Sequence, residues 1–115
     1  MSEARNQSDI MLALGRGLSR LFRNNCGLAK FPNGSTVKYG VCNPGGSDLI
    51  GWTSVVVTPE MVGRNVAVFT AIEVKDVRGR ASDPQKNFIR VVREAGGFAG
   101  IAKSVAEAFA IINGS

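Results

Sequence analysis

Two blocks decide the fold: NVAVFTAIEVKDV at residues 65–77 and SDPQKNFIRVVREAGGFAGIA at residues 82–102. The first carries Val66, Val68, Phe69, Ile72 and Val74 and is the most strand-like stretch of the chain. The second opens as a helix. Ser82 and Asp83 supply cap residues, Pro84 falls in the first turn, and Ser82 to Gln85 has the spacing of a capping box. Phe88, Ile89, Val92 and Ala95 give this helix an apolar face, Gly96 and Gly97 stop it, and residues 98–102 form a short apolar strand. A strand, a helix and a second strand in that order call for a crossover connection, so part of the sheet is expected to be parallel.

Working outward, Ile10, Leu14, Leu18, Leu21 and Phe22 recur at spacings of three and four, which predicts a helix from about residue 3 to about residue 20. Glu3 and Gln7 continue its inward face, while Gly15 and Gly17 weaken its middle. Residues 23–46 are rich in Gly, Asn and Pro; the turn at Pro32-Asn33-Gly34 joins two short strands, residues 27–31 and 36–42, into a hairpin. Residues 48–57 read as a strand ending in Val55-Val56-Val57, and Thr58-Pro59-Glu60-Met61 as a short helical turn. A last helix spans Ser104 to Ile112. The expected order is helix, three strands, helix, strand, helix, with helices covering an α/β sandwich in one domain of 115 residues.

Composition narrows the chemistry. Apolar residues make up 44% and charged residues 20% of the chain, as in soluble globular proteins. No run reaches the roughly 18 uncharged apolar residues of a membrane helix, and the first residues lack the basic-then-apolar order of a signal peptide, so a cytoplasmic setting is expected. There is no histidine, which excludes a Ser-His-Asp triad, a Cys-His pair and histidine-based nucleases. Cys26 and Cys42 alone are too few for a disulfide framework or a structural zinc site. Carboxylates without histidine or thiolate ligands suit Mg²⁺ or Mn²⁺. The net charge is +5, and residues 5–40 hold six basic residues against Asp9. Such a segment fits a polyanion, although a solvated surface explains it as well.

The candidate chemistry lies in Ala71-Ile72-Glu73-Val74-Lys75. On a strand, Glu73 and Lys75 share one face, roughly 7 Å apart, and Ile72 and Val74 the other. An isolated Glu-x-Lys is more often an ordinary surface ion pair. Asp48 follows the glycine turn Gly45-Gly46-Ser47 and opens an apolar strand. It is equally a turn residue bonding nearby amides or a carboxylate at a sheet end. Neighbouring strands lie about 4.8 Å apart, so carboxylates from the Asp48 and Glu73 strands, if adjacent, can share a cation.

Asp48, Glu73-Val74-Lys75 and Gln85 on the following helix resemble the PD-(D/E)xK nuclease superfamily. More narrowly, the chain resembles the virus-type replication-repair nuclease (VRR-NUC) domain. Leu21-Phe22-Arg23-Asn24-Asn25-x-Gly27, Gly46-Ser47-Asp48-Leu49-Ile50-Gly51, Phe69-x-Ala71-Ile72-Glu73-Val74-Lys75 and Gln85-x-x-Phe88-Ile89 carry the likeness, which spans nearly the whole chain. Ser47 stands where the superfamily name implies proline, which this type tolerates.

The resemblance implies a restriction-endonuclease-like three-layer sandwich with a mixed central sheet. It implies Mg²⁺ or Mn²⁺ held by Asp48, Glu73, the Val74 carbonyl and Glu3, with Lys75 and Gln85 at the reaction centre. Glu3 reads otherwise as a frayed terminus, and Gln85 as only the partner of Ser82. Arg20, Arg23, Asn24, Asn25, Lys30, Lys38, Arg78, Arg80 and Lys86 are the candidate DNA contacts. Stand-alone domains of this size resemble phage-type or bacterial enzymes acting on four-way junctions, which implies a two-fold dimer and branched DNA as partner, with no membrane and no nucleotide cofactor. Trp52, Met61 and Phe98 suit such an interface, but core packing is the commoner use of each. A flap-type repair nuclease and a non-catalytic nucleic-acid-binding module are the alternatives.

Overall fold

The computed structural model describes residues 2–113. The elements run α1 (Glu3–Gly15), β1 (Ser19–Arg23), β2 (Gly27–Lys30), β3 (Thr36–Tyr39), β4 (Leu49–Thr53), a 3-10 turn (Pro59–Met61), β5 (Thr70–Val74), α2 (Asp83–Glu94), β6 (Phe98–Ala102) and α3 (Val105–Ile112). Their contacts divide the chain into two compact units, Met1–Val55 and Val56–Ser115. No helix among the described residues is long and apolar enough to cross a membrane.

In the first unit, α1 is capped by the Ser2 hydroxyl, which accepts from the Arg5 amide, and ends at Gly15 rather than near residue 20. Leu21 and Phe22, which continue its apolar spacing, belong instead to β1, which pairs antiparallel with β4. The side-chain spacing fits either element, but Gly15 and Gly17 lower the helical alternative, and a strand gains a ladder to β4. Phe22 and Trp52 meet diagonally across that ladder, ring centroids 5.6 Å apart. The hairpin forms as expected, β2 against β3, with Gly27 opposite Tyr39 and Lys30 opposite Thr36. Ser19 is the one buried residue of this unit among those described.

The second unit is built on the crossover. β5 and β6 pair in parallel, Thr70 opposite Phe98 through Val74 opposite Ala102, with α2 between them in sequence. The capping box is complete: the Gln85 amide donates to Ser82 Oγ (3.2 Å) and the Ser82 amide to Gln85 Oε1 (2.9 Å). Gly96, at φ 101°, takes the left-handed position that ends the helix. Val92, Ala99, Ala102 and Ile111 form the core, 1–8% exposed. Arg93 Nε donates to the Ala99 carbonyl (2.7 Å) and ties α2 to β6. α3 starts at Ser104, whose hydroxyl accepts from the Glu107 amide. In the 3-10 turn, the Glu60 carboxyl is held below its ordinary value by its own backbone N–H and then by the Thr58 hydroxyl.

The described residues form three two-stranded sheets rather than one mixed sheet, and five strands among them rather than three precede α2. The Asp48 and Glu73 strands, expected as neighbours, each have their own ladder: β4 bonds to β1 and β5 to β6. Partner length sets strand length. β4 ends at Thr53 opposite Ser19, the first residue of β1, so Val55, Val56 and Val57 lie beyond it and are exposed. β5 likewise begins at Thr70, opposite the first residue of β6.

Ser82→Ala removes half of the capping box and is expected to lower stability by about 1 kcal/mol. The urea midpoint of unfolding measures it, and an unchanged midpoint would show that the box contributes nothing.

Candidate active site

The alternation of β5 sorts its charged and apolar groups. Ala71, Glu73 and Lys75 turn to the partly covered side, while Ile72 and Val74 are exposed. The Lys75 amide donates to the Ala102 carbonyl (3.1 Å), so the ladder continues one residue past the strand. Lys75 Nζ lies 3.4 Å from Glu73 Oε2, and the two side chains are 22% and 32% exposed. This is a half-buried pair, not a fully solvated one. Withdrawing such charges from water costs free energy unless each has a partner, which the pairing supplies.

Glu73 and Gln85 line one cleft of about 400 Å³, whose other walls are Ala71, Ile72, Pro84, Phe88 and Ile89. The two readings of Gln85 are therefore compatible. Its Oε1 completes the capping box, and its side chain still borders the cleft that Glu73 enters. The box fixes the first turn of α2 and with it the rotamer of Gln85.

Arg78 and Arg80 are exposed on the segment between β5 and α2, where the Arg78 amide donates to Asp76 Oδ1 (3.0 Å). Lys86 borders a second hollow with Arg90 and Arg93. These three cations lie at i, i+4 and i+7, so they share one side of α2. Of the three, only Lys86 is among the candidate DNA contacts, although that spacing marks Arg90 and Arg93 as well. Arg90 is also held by Glu94 (2.9 Å) and Asn87 (2.6 Å).

In the first unit, Asp48 is exposed and directly precedes β4; its carbonyl accepts from the Asn24 amide (2.8 Å). Glu3 lies in the first turn of the capped α1, where its charge suits the helix N-terminus, and it is exposed. Lys30 and Lys38 are exposed and share one face of the β2–β3 hairpin, since Lys38 pairs with Leu28 and Lys30 with Thr36. Asn25 is exposed.

Three residues expected to face DNA are committed within the unit. Arg20 Nη1 donates to the carbonyls of Gly15 (3.1 Å), Gly17 (3.0 Å) and Ser19 (2.7 Å), closing the end of α1. Arg23 donates to Gln7 Oε1 (3.0 Å) and Ser8 Oγ (2.8 Å) and straps α1 to β1. The Asn24 carboxamide bonds to Val41 and Ser47.

Among the described residues, no three of His, Cys, Asp and Glu gather as a metal-binding cluster. In donor type, the residues fit a hard divalent cation. Mg²⁺ is commonly held by one or two carboxylates together with waters and substrate phosphate oxygens. Glu73 and the Val74 carbonyl supply such oxygens on one strand end.

The model of the VRR-NUC domain family matches residues 12–106. The chain belongs to this family. Its match takes in Asp48, Glu73, Val74, Lys75 and Gln85, and membership gives the chain a nuclease-type function with DNA as its substrate class. No curated protein and no solved structure matches the chain.

Removing the Arg23 guanidinium is expected to speed amide hydrogen exchange along α1 while the β1–β4 ladder stays protected. Arg23→Ala with wild-type exchange in α1 would show that the strap does not hold the helix.

Proposed function

We propose that this chain is a metal-dependent, structure-specific DNA endonuclease that cuts four-way (Holliday) junctions. The observation that carries the reading is the half-buried Glu73–Lys75 pair at the end of a parallel strand, within a family of nucleases. A solvated surface pair would not be drawn partly under cover, and here its glutamate lines a cleft together with Gln85.

In this reading the candidate oxygen donors for Mg²⁺ or Mn²⁺ are Glu73 and the Val74 carbonyl in the second unit, and Asp48 and Glu3 in the first. When bound, the ion lowers the pKa of a coordinated water and offsets charge on the phosphate. Lys75 donates its ammonium hydrogens toward the phosphate oxygens as they gain charge, a contact stronger in the transition state than in the ground state. Its partner Glu73 holds that ammonium in place. Gln85 keeps Oε1 in the capping box, which leaves its Nε2 hydrogens to orient water or phosphate. With no histidine in the chain, proton transfer falls to carboxylate and lysine side chains.

Arg78, Arg80 and Lys86, near the Glu73–Lys75 strand and α2 in sequence, grip phosphates of the cut strand. Lys30 and Lys38 form a second basic pair for a further arm. Each phosphate contact adds to the salt dependence of binding. Two symmetric cuts at a junction require two active sites related by a two-fold axis, so the active form is a homodimer.

A panel of labelled single-strand, duplex, flap, splayed-arm and four-way-junction DNA, with and without Mg²⁺, tests the reading. Metal-stimulated cleavage is expected to be strongest on the junction, and Lys75→Ala to lower it by about 100-fold or more with folding intact. Cleavage by that variant at the wild-type rate would remove Lys75 from the reaction. Sedimentation at working concentration is expected to give a dimer, and a monomer would speak against junction resolution.

A further inference from the structure

Asn24 lies immediately after β1, and its side chain reaches across to the loop that leads into Asp48. Nδ2 donates to the Val41 carbonyl (2.9 Å) and to the Ser47 carbonyl (3.1 Å), while Oδ1 accepts from the Val41 amide (2.7 Å). The Asn24 backbone amide donates to the Asp48 carbonyl (2.8 Å). One residue thus bonds both sides of Asp48's approach loop and the aspartate's own backbone. The loop needs such a hold. It contains Cys42 at φ 55° and Gly45 at φ 102°, conformations with no strand or helix ladder to keep them. Gly46 comes so near that an added Cβ would strike the Val41 carbonyl and Asn24 Nδ2. Asn43 adds a second tie from the same loop, donating to the carbonyls of Gly27 (2.9 Å) and Tyr39 (2.8 Å).

We propose that Asn24 is a positioning residue for Asp48, acting through its bonds to Val41, Ser47 and Asp48 rather than by gripping DNA phosphate. The inference rests on the nuclease reading above, in which Asp48 holds the metal. Asn24 is half-buried, and both polar ends of its carboxamide are engaged, so a phosphate would have to displace bonds already made. Asp48 itself is exposed at the head of β4. A carboxylate in that setting is held in one place only if its backbone is, and Asn24 fixes the backbone on its N-terminal side while the β1–β4 ladder fixes the other.

The test compares wild type, Asn24→Ala and Gly46→Ala in the full chain, the last disturbing the same contact from the loop side. Cleavage of labelled four-way-junction DNA is followed against Mg²⁺ and NaCl concentration, binding of Mg²⁺ alone by calorimetry, and loop order by hydrogen exchange. Loss of a residue that orients a metal ligand commonly costs 10–100-fold in metal affinity or activity. Both variants are therefore expected to lose 10–100-fold in kcat and to need more Mg²⁺ for half-maximal rate. KM and the slope of log affinity against log salt should stay at wild-type values, and the amides of residues 41–48 should exchange faster. A raised KM with a shallower salt slope in Asn24→Ala would identify a phosphate contact and overturn the proposal. So would wild-type metal dependence in either folded variant. If wild type itself cleaves none of the DNA with Mg²⁺ or Mn²⁺, the nuclease reading falls and the positioning role with it.

Discussion

Parallel strands cannot be joined by a tight turn. Bringing β5 and β6 side by side therefore requires a helix to carry the chain back along the sheet. Much of the second unit follows from that requirement. α2 must begin soon after β5 ends and stop before β6 begins, and the Ser82–Gln85 box and Gly96 meet those two demands. Val92 and the Arg93 bond to Ala99 then seat the helix on β6. The register that results puts Glu73 opposite Ile101 and carries the ladder on to Lys75, so the charged pair is held by backbone on both strands.

The elements legible in the sequence are those whose signals are local. α2, α3, the 3-10 turn and the β2–β3 hairpin each carry their cap, proline or turn residues within a few positions. The parallel pair followed from element order alone. β1 was illegible because Leu18, Leu21 and Phe22 continue the spacing of α1; only the partner strand, some 30 positions on, shows that a ladder outcompetes the helix. The same dependence trimmed the long apolar runs. Val55–Val57 and Val66–Val68 are as strand-like as their neighbours, but the partners end before reaching them.

For the site, Glu-x-Lys on one strand face was readable, and so was the cap spacing of Gln85. That Gln85 both caps α2 and borders the Glu73 cleft was not, because a capping box and a cleft lining are alternatives only on paper. Arg20, Arg23 and Asn24 show the opposite limit. Their charge and polarity suggest contact with a polyanion, yet Arg20 is taken up by carbonyls at the end of α1, and Arg23 and Asn24 by acceptors that the fold brings near. For Asn24 the acceptors lie 17 and 23 positions away in sequence.

That carboxamide has a chemical liability as well as a structural one. Asparagine is among the thermolabile residues, and hydrolysis of its amide to a carboxylate is a slow spontaneous reaction. At residue 24 the change would point an anionic oxygen at two main-chain carbonyls that now receive hydrogens. Attraction would become repulsion without any change in the length of the side chain. Ageing of the protein at that single atom would loosen the Gly-rich approach to Asp48 while the helices and ladders stayed intact.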